Sequence, residues 1–263
     1  MDTPDIKTMV RERYGSIAAA NTGSCCAPAA SCCAPTTPAD AADKARAMGY
    51  SDADLAAIPD GANLGLGCGN PQAIAAMRPG ETVIDLGSGA GFDCFLAARA
   101  VGPTGHVIGV DMTHEMLAKA RANARQIGAG NVEFRLGELE HLPIADNIAD
   151  VILSNCVINL VPDKEQVFNE AFRVLKPGGR LAISDVVNTN PLSEDLRGDA
   201  DLICGCVVGA APAAQIETWL AAAGFQRIVV SVKPESRTLI ASWAPGRGVE
   251  DHVVSAFIEA RKP

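Results

Sequence analysis

The side chains best suited to chemistry in this sequence are its thiols: Cys25, Cys26, Cys32, Cys33, Cys68, Cys94, Cys156, Cys204 and Cys206, nine in 263 residues. Nine is an odd number, so complete pairing within one chain is impossible. The opening MDTPDIK places acids ahead of any apolar stretch and does not read as a secretory signal. A cytoplasmic location is therefore expected, with thiols or ligands rather than disulfide staples. The chain has no CxxC, and none of its four histidines forms an HxxxH pair, so a conventional structural zinc site is not expected. Cys68 lies in a glycine-rich loop, Cys156 directly follows a strand, and Cys204 and Cys206 lie in a late helical stretch. Three thiolates from three segments suit a soft centre that prefers sulfur, trivalent arsenic among them. Cys94, among Phe92, Phe95 and Leu96, reads as a small core hydrophobe.

A second signal is DLGSGAG, Asp85 to Gly91, between a strand and a helix. Gly87, Gly89 and Gly91 allow a tight turn and close approach of a ligand to the backbone. Asp111 ends the next strand, 20 positions after Gly91. A carboxylate at that distance can accept hydrogen bonds from ribose hydroxyls. No G-x-x-x-x-G-K-[ST] occurs, which excludes a P-loop.

The elements that must position these groups alternate. ETVIDLG, HVIGVD, NVEFRLG, ADVILSN and RLAISDV read as strands, and helical segments lie between most of them, with Thr113 a plausible N-cap for the one after HVIGVD. Strand–helix alternation of this length means βαβ units and a parallel sheet covered on both faces. A short helix is expected over Ile6–Tyr14. The Ala-, Ser-, Thr- and Pro-rich residues 18–40 lack apolar periodicity and predict a mobile tail. The division expected is a mobile segment at 1–40, a Rossmann-like core at 41–190, a helical insertion at 191–224, and strands completing the sheet at 225–263.

Charge narrows the partners. With 22 basic and 31 acidic residues the formal charge is −9, against sequence-independent nucleic-acid binding and docking on an anionic membrane. No apolar run approaches the ~20 residues that span a bilayer.

VIDLGSGAG, GVDMTHEML and VLKPGGRLAISD together resemble the class I S-adenosylmethionine-dependent methyltransferases over about residues 70–232. That resemblance implies an α/β Rossmann-like fold, a mostly parallel twisted sheet with helices on both faces and an antiparallel C-terminal strand. It implies that Gly87, Gly89 and Gly91, with Asp85 just before them, lie against the methionyl part of the cofactor. Asp111 would hold the ribose and Met112 would lie along the adenine, with Glu138 and Leu139 of GELEHLP beside it. Asn155 would stand where methyl donor and acceptor meet. LGLGCGNP, SNCVINLVPDK and CVVGA are more specific and resemble arsenite methyltransferases over nearly the whole chain. The resemblance implies Cys68, Cys156 and Cys206 as the arsenic-binding thiols, with Cys204 a possible alternate. It further implies As(III) as substrate and a thiol reductant such as thioredoxin or glutathione. A monomer is expected. The vicinal pairs at Cys25–Cys26 and Cys32–Cys33 either deliver As(III) or electrons, or belong to a dispensable tail. Two other readings remain open on the residues: a methyltransferase for an organic small molecule, and a thiol-based metalloid sensor.

Overall fold

A computed structural model describes residues 5–20 and 37–263. Cys25, Cys26, Cys32 and Cys33 lie outside the described residues. In chain order the elements are α1 (Ile6–Ala20), α2 (Pro38–Ala47), α3 (Asp52–Leu55), α4 (Gln72–Ala75), β1 (Thr82–Leu86), α5 (Phe92–Val101), β2 (His106–Asp111), α6 (His114–Ile127) and β3 (Val132–Leu136). They continue with β4 (Ala149–Asn155), α7 (Lys164–Val174), β5 (Leu175–Asn188), α8 (Glu194–Arg197), α9 (Ala200–Cys204), α10 (Ala213–Ala223), β6 (Gln226–Lys233), α11 (Arg237–Ala241) and β7 (Val253–Arg261). The seven strands form one sheet in the order β3-β2-β1-β4-β5-β7-β6. From β3 across β2, β1 and β4 to β5 the pairing is parallel, while β7 runs antiparallel between β5 and β6. The Rossmann-like expectation holds, with antiparallel pairing on both sides of β7.

Alternating side chains send each strand into both layers, as a pleat of period two requires. Ile84, Leu86 and Ile152 pack with Phe168 of α7 and Leu220 of α10. Val83, Val151 and Leu153 pack with Phe95 of α5 and Leu117 of α6. A third cluster sits over the carboxyl ends of the strands. It joins Cys68, Val186, Leu202, Cys206 and Val207 to Val10 of α1. The helical insertion and α1 therefore roof the edge where the sheet leaves its loops. None of the helices among the described residues is long and apolar enough to cross a membrane.

Two local expectations change. The first helix runs on from Tyr14 to Ala20, with Val10 and Ala18 buried, so residues 6–20 are docked where a mobile segment was expected. Its apolar contacts come from the insertion and α6, which no local pattern announces. Thr113 does occupy the N-cap of α6, but its side chain makes no capping bond. Its backbone N–H instead donates to Asp111 Oδ1 at 2.8 Å.

Candidate active site

At the carboxyl edge of β1, β2 and β4 lies a cavity of about 700 Å³. Such a crevice outside strand ends is where open α/β sheets bind ligands. Its floor is the turn after β1. Gly87 has φ +71°, and a Cβ there would meet Val157 Cγ2 at 2.5 Å, so only glycine fits. A Cβ on Gly89 would meet nothing closer than Met116 Sδ at 4.0 Å, which leaves that face of the turn open. Gly91 carries φ +94° at the N-cap of α5.

Asp111 closes the next strand. Its Oδ2 accepts the Gly89 N–H at 2.9 Å and its Oδ1 accepts Thr113, so the carboxylate is oriented by backbone. Burial pushes its pKa above the ordinary carboxylate range, although those N–H groups oppose the shift. Met112 and Leu139 line the same cavity. Ser88 Oγ, buried at the turn, has no partner among the described residues. An open glycine face, an oriented carboxylate with lone pairs to spare and an orphaned hydroxyl fit a nucleoside-bearing ligand such as S-adenosylmethionine.

Two residues expected at this cofactor site are engaged elsewhere. Glu138 does not line the cavity; its carboxylate turns to Lys7 (2.6 Å) and Arg11 (3.4 Å) of α1. Glu140, two residues on and buried, lines the cavity instead and pairs with Lys7 at 2.9 Å. Asp85 does border the cavity, but its Oδ2 accepts the Cys94 thiol at 3.1 Å. Burial, then repulsion from Asp93, raises its pKa well above the usual range. Cys94 is thus a core residue with one polar duty.

The thiols gather beside this crevice. Cys68 Sγ, Cys156 Sγ and a carboxylate oxygen of Asp185 lie within 4.8 Å of one another. Cys206 approaches from the insertion; its thiol donates to the Cys156 carbonyl at 2.7 Å and also interacts with the Cys156 thiol. Cys156 therefore stands between the other two. It borders the cavity with Cys206, while Cys68 sits behind, with Ser184 Oγ at 3.8 Å. Cys204 stands apart: the charged groups acting on its thiol are Arg13 and Asp201, not the other three cysteines, and its backbone carbonyl accepts the Tyr14 hydroxyl at 3.1 Å.

All three thiols sit above the ordinary cysteine pKa. For Cys68 the leading cause is burial. For Cys156 it is the hydrogen bond to Cys206, with burial adding. For Cys206 the hydrogen bond to Cys156 is the largest single influence and pulls downward, but burial together with repulsion from Asp185 and Cys68 carries the net shift upward. Cys156 (φ +57°) and Cys206 (φ +64°) also hold left-handed backbone. For an L-residue that costs roughly 1–2 kcal/mol, a strain that concentrates at functional sites.

Asn155 ties the two halves together. Its amide donates to the Gly69 carbonyl at 2.8 Å and to Tyr50 Oη at 3.1 Å, and its Oδ1 accepts the Cys68 N–H at 3.1 Å. The Tyr50 hydroxyl in turn donates to buried Asp93 at 2.8 Å. Sequence reasoning missed this Tyr50–Asp93 pair, the roof residues Val10 and Tyr14, and Asp185. Asp185 left a signal: an acid inside the apolar run RLAISDV, like Asp111 in its own strand.

A family profile described as a methyltransferase domain matches residues 77–224. The arsenite methyltransferase of Halobacterium salinarum is 51% identical over the whole of this chain and 68% of that protein. The human arsenite methyltransferase is 44% identical over 49% of this chain and 36% of its own length. Among solved structures, an arsenic(III) S-adenosylmethionine methyltransferase from Chlamydomonas reinhardtii superposes with a TM-score of 0.62 at 30% identity. That match covers 84% of this chain and 73% of the algal one.

Proposed function

We infer the reaction from one premise: this chain belongs to the arsenite methyltransferase family, on the class I S-adenosylmethionine-dependent methyltransferase fold. It moves a methyl group from S-adenosylmethionine to trivalent arsenic held by the sulfurs of Cys68, Cys156 and Cys206. The observation that carries this is the gathering of those thiols, from three distant segments, against the nucleoside-sized crevice.

As(III) arrives as a hydroxide or thiol conjugate. Each thiol displaces one such ligand, the sulfur taking the bond and its proton leaving with the hydroxide as water. Three As–S bonds leave the arsenic lone pair free, and the sulfurs fix its direction. S-adenosylmethionine, when bound, would supply an electrophilic methyl group: the arsenic lone pair would become the new As–C bond while the methyl–sulfur bond breaks, its electron pair staying on the sulfur of departing S-adenosylhomocysteine. No proton leaves the nucleophile, so no general base is required. Catalysis is then chiefly positioning, which can contribute about 7–11 kcal/mol. Asp111, Met112 and Leu139 hold the donor; Gly87, Gly89 and Gly91 let it approach; Asn155 holds the Cys68 loop in reach. Glu138 acts only through α1.

Transfer formally oxidises arsenic by two electrons, so turnover draws on a thiol reductant of the thioredoxin or glutathione class. The protein acts as a cytoplasmic monomer, and its working parts follow the divisions at 190 and 224, with α1 serving as part of the cavity's roof. The test is As(III) titration of the purified chain and of Cys68→Ser, Cys156→Ser and Cys206→Ser, with S-adenosylhomocysteine measured alongside. Each substitution is expected to abolish arsenic methylation while S-adenosylmethionine still binds. Undiminished methylation in Cys156→Ser refutes the reading.

A further inference from the structure

The most compact donor set among the described residues is not the three thiols. It is two thiols and a carboxylate: Cys68, Cys156 and Asp185, within 4.8 Å of one another. Asp185 is 2% exposed and lies on the strand that also carries Ser184, whose carbonyl accepts the Cys156 N–H at 2.8 Å. The carboxylate is held rigidly. Its Oδ1 accepts Val186 N–H at 2.8 Å and Asn159 Nδ2 at 2.9 Å, and its Oδ2 accepts Ile158 N–H at 3.0 Å. These three bonds use three of the roughly four lone-pair sites of a carboxylate, and the one that is left lies on Oδ2. Methyl transfer to a three-sulfur arsenic has no use for that oxygen, because trivalent arsenic is complete with three bonds.

A divalent cation of borderline softness has different needs. Zinc takes four ligands, mixes thiolate with carboxylate, and binds sulfur at about 2.3 Å, which sets sulfurs of one tetrahedron roughly 3.7 Å apart. A contraction of about 1 Å brings this set to that spacing. Spacing rules for zinc miss it because they seek ligands within one loop, whereas these come from the loop before β1, the end of β4 and the carboxyl-terminal part of β5.

We propose that Cys68, Cys156 and Asp185 form a binding site for a thiophilic divalent cation of the zinc and cadmium class, overlapping the arsenic chamber. On binding, the two thiols release their protons to solvent and Oδ2 supplies the third ligand; water completes the shell. Cys206, occupied with the Cys156 carbonyl, is not required. The cation withholds two of the sulfurs arsenic needs, so it competes with As(III); this last consequence rests on the function proposed above.

The experiment uses the full chain with Cys25, Cys26, Cys32 and Cys33 replaced by Ser, so that those thiols cannot take the metal. Zn2+, and separately Cd2+, is titrated against a chromogenic chelator, with As(III) uptake measured in parallel. One Zn2+ per chain is expected. Asp185→Asn should weaken Zn2+ binding at least tenfold and leave As(III) uptake within about threefold. Cys206→Ser should do the reverse. No Zn2+ uptake, Zn2+ binding unmoved by Asp185→Asn, or Zn2+ binding lost in Cys206→Ser overturns the proposal. Should Asp185→Asn fail to fold, X-ray absorption of the zinc-loaded parent decides: two sulfurs with oxygen neighbours support the site, and three or more sulfurs refute it. Failure of arsenic methylation alone leaves each of these readouts intact.

Discussion

The carboxamide of Asn155 accepts the backbone N–H of Cys68 at 3.1 Å and donates to the carbonyl of Gly69 at 2.8 Å, clasping a loop 87 residues away in sequence. The side chain borders the cavity, but its hydrogen-bonding groups are spent on that loop and on Tyr50. Its position at the end of β4 led to an expectation of contact with the donor; its bonds show that it holds the loop that carries Cys68.

Asn155→Ala should therefore hurt arsenic more than cofactor. Unpairing buried backbone groups costs about 1–3 kcal/mol each. As(III) affinity should fall at least tenfold, with S-adenosylmethionine affinity within about threefold. Titration calorimetry with both ligands checks this; equal losses would place Asn155 on the donor instead.

Tyr14 pins the roof. Its hydroxyl donates to the Cys204 carbonyl, and α1 covers the cavity through Val10 and Tyr14. Tyr14→Phe removes one hydrogen bond, worth about 0.5–1.5 kcal/mol. Protease cleavage within α1 should quicken, and KM for S-adenosylmethionine should rise roughly 2–10-fold, the same energy expressed as an equilibrium. An unchanged KM with faster cleavage would separate the roof from cofactor retention.

Gly87→Ala brings a Cβ to 2.5 Å from Val157 at φ +71°. Overpacking together with left-handed backbone should cost about 2–4 kcal/mol. Chemical denaturation should register that loss, and S-adenosylmethionine binding should drop at least tenfold. Wild-type stability in this variant would mean the turn has room that its neighbours deny.

The thiols make stability depend on pH. Burial raises the pKa of Cys68 and of Cys94, and for Cys156 the hydrogen bond to Cys206 leads, with burial behind it. Folded-state values above the unfolded one, ~8.5, mean the native state keeps protons that the unfolded chain sheds. Their stabilisation is complete below that pH and is lost as pH rises through the folded values. Thermal melts stepped from pH 7 to 10 should show Tm level at first and then falling above about 8.5. Cys156→Ser should lessen the slope. A Tm that climbs over this window would contradict the burial of these thiols.

Zinc loading of the Asp185 site offers an independent check on the same chamber, since it reads the sulfur positions without any methyl transfer.

Much of the molecule could be read residue by residue. Alternating apolar strands and intervening helices announced the parallel sheet, because side-chain periodicity reports which faces are covered. DLGSGAG and Asp111 announced the crevice, because close backbone approach needs glycine and a carboxylate at a strand end can accept from a ligand's hydroxyls. The cysteine-bearing segments pointed to Cys68, Cys156 and Cys206 through resemblance, while residue chemistry alone left Cys204 beside Cys206. What the tertiary structure decided was direction. Cys206, with left-handed backbone, places its thiol against Cys156, whereas the Cys204 thiol lies in the field of Arg13 and Asp201. Glu138 turns outward and Glu140 inward, a difference set by where α1 docks. Asp185 joins two sulfurs only because β4 and β5 lie side by side. Local pattern reports whether a residue is buried; which distant group it faces follows from how the layers pack.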